Sequence, residues 1–227
     1  MKNIVVLTGA GVSAESGVKT FRDNGGLWEG YDIMEVASPL GWQRNKEVVL
    51  NFYNERRKQL HTVQPNAAHK FLAALEPFFK VQIITQNVDD LHERAGSSNV
   101  LHLHGELLKV RSTTNENLVY AWENDLKIGD LCEENSQLRP HIVWFGESVP
   151  LFETAIEIAS KADIFIIVGT SMQVYPAAAL INYIPNTIPV YFVDPKPTIQ
   201  KNYYPNLKII AEKASVGVEM IFNELTA

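Results

Sequence analysis

Two short, wholly apolar runs in this chain each end in a loop of small residues. Ile4-Val5-Val6-Leu7 enters Thr8-Gly9-Ala10-Gly11, and Ile164-Phe165-Ile166-Ile167-Val168 enters Gly169-Thr170-Ser171. A strand without polar alternation must be covered on both faces, a condition met in parallel sheets sandwiched between helices. Further runs at Val81–Thr85, Ile142–Phe145 and Pro189–Val193, with helical patterns between several of them, continue the alternation, and Lys208–Ile210 offers an edge strand. The expected fold class is α/β. Two small-residue loops at the carboxyl edge of one sheet lie where open α/β sheets bind ligands.

Two stretches break the alternation. Residues 25–61 are rich in Trp, Tyr and charged groups, with helical spacing from Lys46 to Leu60, and residues 105–140 are polar with weak strand signals. Both read as insertions that form a smaller lobe, beside a larger one built from residues 1–24, 62–104 and 141–227. With 227 residues and 46% apolar content, the chain can bury one full core. A net charge of −6 argues against a nucleic-acid surface, which needs clustered Lys and Arg. No apolar run approaches the roughly 20 residues of a membrane span. Met1-Lys2-Asn3 leads into a strand rather than a signal peptide, so a cytoplasmic location with neither nucleic acid nor membrane as partner is expected. One cysteine, Cys132, excludes an intrachain disulfide and a cysteine-cluster metal site.

Gly9, Gly11 and Ala14 fit G-x-G-x-x-G/A, the pattern that lets a backbone approach a pyrophosphate at a helix N-terminus. An ordinary Gly-rich turn also fits. The tail that follows, Ser13, Glu15, Ser16, Thr20, Arg22 and Asp23, is too hydrophilic for a simple packing turn and points to a polar ligand. Thr85-Gln86-Asn87-Val88-Asp89-Asp90-Leu91-His92 carries amides and carboxylates over the sheet edge, as ligand contacts, as a helix cap, or as both. In Leu101-His102-Leu103-His104-Gly105 the alternation puts both imidazoles on one face. Without a third His or Cys at suitable spacing, metal binding is disfavoured against catalysis or structure. Arg139–Glu147 reads as a strand ending at Gly146: either a buried strand with an aromatic pair, or an edge that pairs with an extended peptide while Val143 and Phe145 line a tunnel. Tyr53 and Arg56, at i and i+3, share one helix face, where a salt-bridged surface is the ordinary reading.

Taken together, Gly9-Ala10-Gly11-Val12-Ser13-Ala14-Glu15-Ser16-Gly17, Thr20-Phe21-Arg22, Gln86-Asn87-Val88-Asp89-Asp90-Leu91-His92, His104-Gly105, Trp144-Phe145-Gly146-Glu147 and Gly169-Thr170-Ser171 resemble the sirtuin motifs in their family order, across nearly the whole chain. The resemblance implies a Rossmann-like sheet, a smaller lobe and a cleft where NAD meets an acylated lysine on a protein. It implies NAD contacts from Gly9, Ala10, Gly11, Glu15, Thr20, Phe21, Arg22, Trp28, Gln86, Asn87, Asp89, His104, Gly169, Thr170 and Ser171. Phe192, Val193 and Asp194 would lie by the adenosine and Ala214 near the adenine. Phe192 stands where the family usually has Asn. His104 would be the general base, with Asn87 and Asp89 ordering the nicotinamide pocket. Substrate contacts would come from Tyr53, Arg56, Val143, Phe145, Gly146 and Glu147.

The implied reaction consumes NAD and one water: the acyl oxygen displaces nicotinamide, His104 deprotonates a ribose hydroxyl whose oxygen attacks the resulting imidate carbon, and water completes the release of lysine and O-acyl-ADP-ribose. Tyr53 and Arg56 match the Tyr-x-x-Arg pair of the branch that removes succinyl and malonyl groups, because phenol and guanidinium can bind their carboxylate. A mono-ADP-ribosyltransferase, a hydride-transferring dehydrogenase and a non-enzymatic NAD- or acyl-lysine-binding module are the alternatives. Most members hold zinc between two Cys-x-x-Cys pairs, whereas Ser112 stands near the first expected cysteine here and Cys132 is the only thiol. No zinc is expected, and Leu118, Val119, Trp122 and Leu126 would form a small apolar core instead.

Overall fold

The computed structural model describes residues 1–19, 30–200 and 203–227, together with the backbone of residues 27 and 28. After β1 (Asn3–Thr8) come two short paired strands, β2 (Leu27–Trp28) and β3 (Tyr31–Asp32), and three helices, α1 (Ile33–Val36), α2 (Pro39–Arg44) and α3 (Lys46–Leu60). Helix α4 (Ala67–Ala74), β4 (Lys80–Thr85), α5 (Leu91–Arg94) and β5 (Val100–His102) follow. An antiparallel unit, β6 (Gly105–Ser112), β7 (Val119–Ala121) and β8 (Leu138–Ile142), interrupts the alternation. It resumes with α6 (Phe152–Ala159), β9 (Ile164–Val168), β10 (Val190–Val193), β11 (Leu207–Ile210) and α7 (Ala214–Thr226).

Six strands form one parallel sheet in the order β11-β10-β9-β1-β4-β5. Counted along the chain, this is the 3-2-1-4-5-6 order of a Rossmann fold, whose switch point falls between β1 and β9. The apolar runs have the composition they do because alternate residues feed opposite faces. Ile4, Val6, Ile164, Ile166 and Val193 pack with Leu72 and Val218 of α4 and α7. Val5, Leu7, Phe165, Ile167 and Phe192 pack against Ala155 of α6 and against Leu180 and Ile181.

A third apolar cluster lies apart from these two. It joins Val49, Leu50, Phe52 and Tyr53 of α3 to Leu107, Val110, Leu126, Cys132, Leu138 and Trp144. Polar bonds fix that union: Asn54 exchanges two bonds with the Leu126 backbone, each 2.9 Å, and buried Arg57 donates to the Leu107 carbonyl at 3.2 Å.

Three expectations are corrected here. Ile142–Phe145 is not a strand of the parallel sheet: β8 ends at Ile142 and pairs antiparallel with β6, because Pro140 and a register shift confine this segment to a bent unit. The sixth parallel strand is instead β5, pairing Val100–His102 with Ile83–Thr85. Val119 is 38% exposed and stays outside the third cluster, whereas Leu126 is buried in it and Leu118 and Trp122 pack against it. No helix among the described residues is long and apolar enough to cross a membrane.

Candidate functional site

The loops after β1 and β9 meet backbone to backbone at the switch point. Gly11 N–H donates to the Gly169 carbonyl at 2.8 Å, and Gly9 N–H to that of Val168 at 3.1 Å. A Cβ on Gly11 would stand 2.6 Å from Gly169 Cα, and one on Gly169 would stand 2.3 Å from the Val12 nitrogen. Gly169 also has φ of +63°, so both space and conformation exclude a side chain there. The segment after Gly9 is two 3₁₀ turns, Ala10–Val12 and Ala14–Ser16, rather than the α-helix the glycine pattern predicts. Glu15 accepts the Ser215 backbone N–H at 3.2 Å and its hydroxyl at 2.5 Å, tying this loop to the first turn of α7 beside buried Ala214.

Over the same edge, Gln86 Nε2 donates to Thr170 Oγ1 at 3.1 Å, and Asn87 Nδ2 donates to the Gly9 carbonyl and to Ser13 Oγ, both at 3.2 Å. Ser13 Oγ donates to Asp89 Oδ2 at 3.0 Å and lies 3.4 Å from His69 Nε2. Burial pushes the Asp89 carboxyl up to about 6, against the lowering influence of the Leu91 N–H and Ser13. His69 is fully buried, and burial brings its imidazole down to about 4. His92, 3.0 Å from Thr8 Oγ1, is held well below the usual range by burial, with His69 and His102 adding to the effect.

The two alternating imidazoles have distinct anchors. His102 Nδ1 bonds the Asn87 carbonyl at 3.0 Å and its Nε2 meets Glu93 at 2.8 Å; burial alone would lower its pKa, but Glu93 outweighs it and the net shift is upward. His104 Nδ1 lies 3.1 Å from the Gln86 carbonyl, which can only accept. That contact puts the neutral ring's proton on Nδ1 and leaves the Nε2 lone pair to accept another. Burial lowers the His104 pKa despite the Gln86 bond, so the ring is neutral at pH 7. Gly105, φ +84°, admits the neighbouring strand: a Cβ there would stand 2.0 Å from the His141 carbonyl oxygen.

Tyr53 and Arg56 project from α3 into one cavity of about 50 Å³, which Val88, Asp89, Lys19, Gln59 and Leu107 also line. Arg56 lies 4.4 Å over the Phe52 ring and 3.6 Å from Glu55, and its buried Nε and Nη1 have no acceptor among the described residues. Tyr53 is fully buried, its hydroxyl accepting the Trp144 indole N–H at 3.0 Å. Val143, Phe145, Gly146 and Glu147 do not line this cavity. Val143 and Phe145 give their backbone N–H groups to the His104 and Ala37 carbonyls, each at 2.9 Å, and the Phe145 ring is 42% exposed. Glu147 is engaged by Arg139, Arg111 and the Trp144 N–H.

At the carboxyl end of β10, Phe192 and Val193 are buried, the Phe192 ring within the core on one face of the sheet. Asp194 accepts the Lys196 N–H at 2.8 Å, and the Ser171 carbonyl accepts from Thr198. Thr20, Phe21, Arg22 and the Trp28 side chain lie outside the described residues. His69 was not among the expected site residues; the Asn66-x-x-His69 capping box that opens α4 is its local signal.

The residues at the expected zinc position do not suit that metal. Ser112 and Asn115 face Cys132 and Asn135 with the spacing of two Cys-x-x-Cys pairs, yet three of the four are hydroxyl or amide. They bond one another instead: Cys132 Sγ lies 3.4 Å from Ser112 Oγ, which also accepts the Thr114 and Asn115 N–H groups. Thr114 Oγ1 continues to Ser136 Oγ at 2.6 Å. No group of three or more His, Cys, Asp or Glu among the described residues is placed to hold a metal.

Sequence and fold are similar to those of known proteins. An NAD-dependent protein deacylase of Helicobacter pylori (strain ATCC 700392 / 26695) is 64% identical over 196 residues, 86% of each chain. One of Bacteroides thetaiotaomicron is 54% identical over 225 residues, 96% of each chain. A crystal structure of a Sir2 homologue in complex with NAD is 39% identical and aligns with a TM-score of 0.87 over 99% of this chain and 90% of that one. A family model described as the Sir2 family matches residues 9–176, and the chain belongs to that family.

Proposed function

We propose that this chain is an NAD-dependent protein-lysine deacylase, working as one catalytic domain of two lobes, that favours acyl groups ending in a carboxylate. The observation that carries the acyl preference is a largely buried guanidinium, two of whose nitrogens find no acceptor among the described residues, beside Tyr53 in a cavity that reaches Asp89. A succinyl or malonyl carboxylate supplies the acceptors that Arg56 lacks, and an acetyl group does not. NAD supplies an electrophilic ribose carbon with nicotinamide as leaving group. The loops of Gly9, Ala10, Gly11, Gly169, Thr170 and Ser171 would hold it, with Glu15, Gln86, Asn87, Asp89, the 192–194 segment and Ala214, and, by sequence resemblance, with Thr20, Phe21, Arg22 and Trp28.

His104 is the proton acceptor. Its neutral ring, oriented by the Gln86 carbonyl, takes a hydroxyl proton at Nε2 at neutral pH. Asn87 and Asp89, braced by Ser13, order the nicotinamide end of the cleft. Val143, Phe145, Gly146 and Glu147 border the path of the peptide. The region around Ser112 and Cys132 works without zinc, its hydrogen bonds and the Leu126 cluster standing in for the metal.

Purified protein incubated with NAD and succinyl-, malonyl- or acetyl-lysine peptides tests this. Nicotinamide release with free lysine and O-acyl-ADP-ribose is expected, fastest on the acidic acyl groups and lost in His104→Ala. No nicotinamide with any peptide would refute the reading, and ADP-ribose left on the peptide would establish the transferase instead.

A further inference from the structure

Tyr53 is a buried phenol, and its oxygen lies 3.0 Å from Nε1 of Trp144. An indole N–H is only a donor, so the phenol oxygen accepts at this contact and its own proton is turned to another side. Trp144 cannot readily release that bond, because it is clamped. Its ring packs 5.7 Å from that of Trp42, and the Arg139 guanidinium carbon sits 3.3 Å from its centroid. Its backbone N–H donates to Glu147 Oε2 at 2.8 Å. Arg139 grips the same carboxylate with two bonds, 2.6 and 3.1 Å, Arg111 approaches it at 3.4 Å, and Arg139 reaches the Ile142 carbonyl at 3.0 Å. Cation, carboxylate, main chain and indole therefore form a closed buckle in the segment from β8 to Glu147, facing a phenol that belongs to α3.

We infer that Trp144 is a positioning residue for acyl selectivity: its indole N–H, fixed by the Arg139–Glu147 buckle, turns the Tyr53 hydroxyl into a donor aimed at the carboxylate of an acyl group beside Arg56. The inference rests on the deacylase reading and its acyl pocket. Burial holds the phenol pKa far above its ordinary value, so Tyr53 stays a neutral donor across the working pH range. A rigid neutral donor next to a cation matches a carboxylate, which accepts from both. An acetyl methyl group gains nothing from the same alignment. Trp144 lies outside the cavity lining and acts through Tyr53.

Trp144→Phe keeps a ring and deletes the N–H. The ratio of kcat/KM on succinyl-lysine to that on acetyl-lysine peptide should fall about 5-fold, mostly through KM for the succinyl peptide, as expected for one oriented neutral hydrogen bond. In a Tyr53→Phe background the same substitution should move the ratio by no more than about 2-fold, because the hydroxyl it orients is gone. Glu147→Gln, which loosens the buckle and leaves the indole intact, gives a second comparison of the same form should Trp144→Phe fold poorly. An equal fall in both backgrounds, or an unchanged ratio in the parent protein, overturns the inference. If Tyr53→Phe and Arg56→Met alter the ratio and Trp144→Phe does not, the pocket stands and the part given to Trp144 falls. If none of the three alters it, the pocket itself falls.

Discussion

Arg56→Met should strengthen the fold and weaken the activity at once. The Arg56 side chain is 13% exposed, with Glu55 3.6 Å away, and Nε and Nη1 find no acceptor among the described residues. A buried donor left unsatisfied costs about 1–3 kcal/mol. Against this, its position over the Phe52 ring contributes about 0.5–2 kcal/mol. Met retains an apolar stem on Phe52 and removes the stranded donors, so the balance favours the variant by about 1 kcal/mol. For a chain of this length that raises Tm by about 2–4 °C. Loss of charge-assisted bonds to a bound carboxylate, about 3 kcal/mol in all, lowers kcat/KM on a succinyl peptide about 100-fold. The acetyl peptide should lose far less. Calorimetry and nicotinamide release read the two effects. A Tm that drops by several degrees, or equal losses on both peptides, would refute the reasoning, because Arg56 would then be a structural cation rather than one waiting for an anion.

Two further outcomes are expected. His69 falls from 6.5 in the unfolded chain to about 4 in the fold, so its contribution is complete at pH 7 and lost as pH drops through that window, by about 2 kcal/mol at pH 5. Asp89, raised from 3.8 to about 6, acts in the opposite sense, its contribution disappearing as pH rises through 6. In urea denaturation the parent should lose about 2 kcal/mol more stability than His69→Gln on going from pH 7 to pH 5, and an equal change in the two would count against the assignment. If the Ser112–Cys132 region works without metal, a chelator leaves Tm and activity unchanged and elemental analysis finds less than one zinc per chain. Stoichiometric zinc, or unfolding on chelation, would contradict this.

Much of the sheet was legible because local chemistry settles it. Ile164–Val168 has no polar alternation and is covered on both faces, and the spacing of Lys46–Leu60 matches α3 to the residue. The failures lie where tertiary partners override local pattern. Ile142–Phe145 has the composition of a buried strand, yet its predecessors pair with β6 and its tail turns back on Glu147. Val100–His102 is too short to register as a strand, and its pairing with β4 supplies what its length lacks. The Gly, Gln-Asn and Gly-Thr-Ser loops were readable because close backbone contact and amide chemistry restrict residue type. The Tyr53–Trp144 bond spans 91 positions, and nothing in either neighbourhood announces it.

The interlock of Gly9 and Gly11 with Gly169 also sets an order of events during synthesis. The first loop leaves the ribosome early, but the carbonyls that receive its N–H groups belong to residues 168 and 169. A nascent chain carrying every amide of the 86–89 segment and the imidazole at 104 still lacks the loop against which its first one closes. Premature stops before β9 should therefore yield polypeptides unable to sequester or squander cellular dinucleotide.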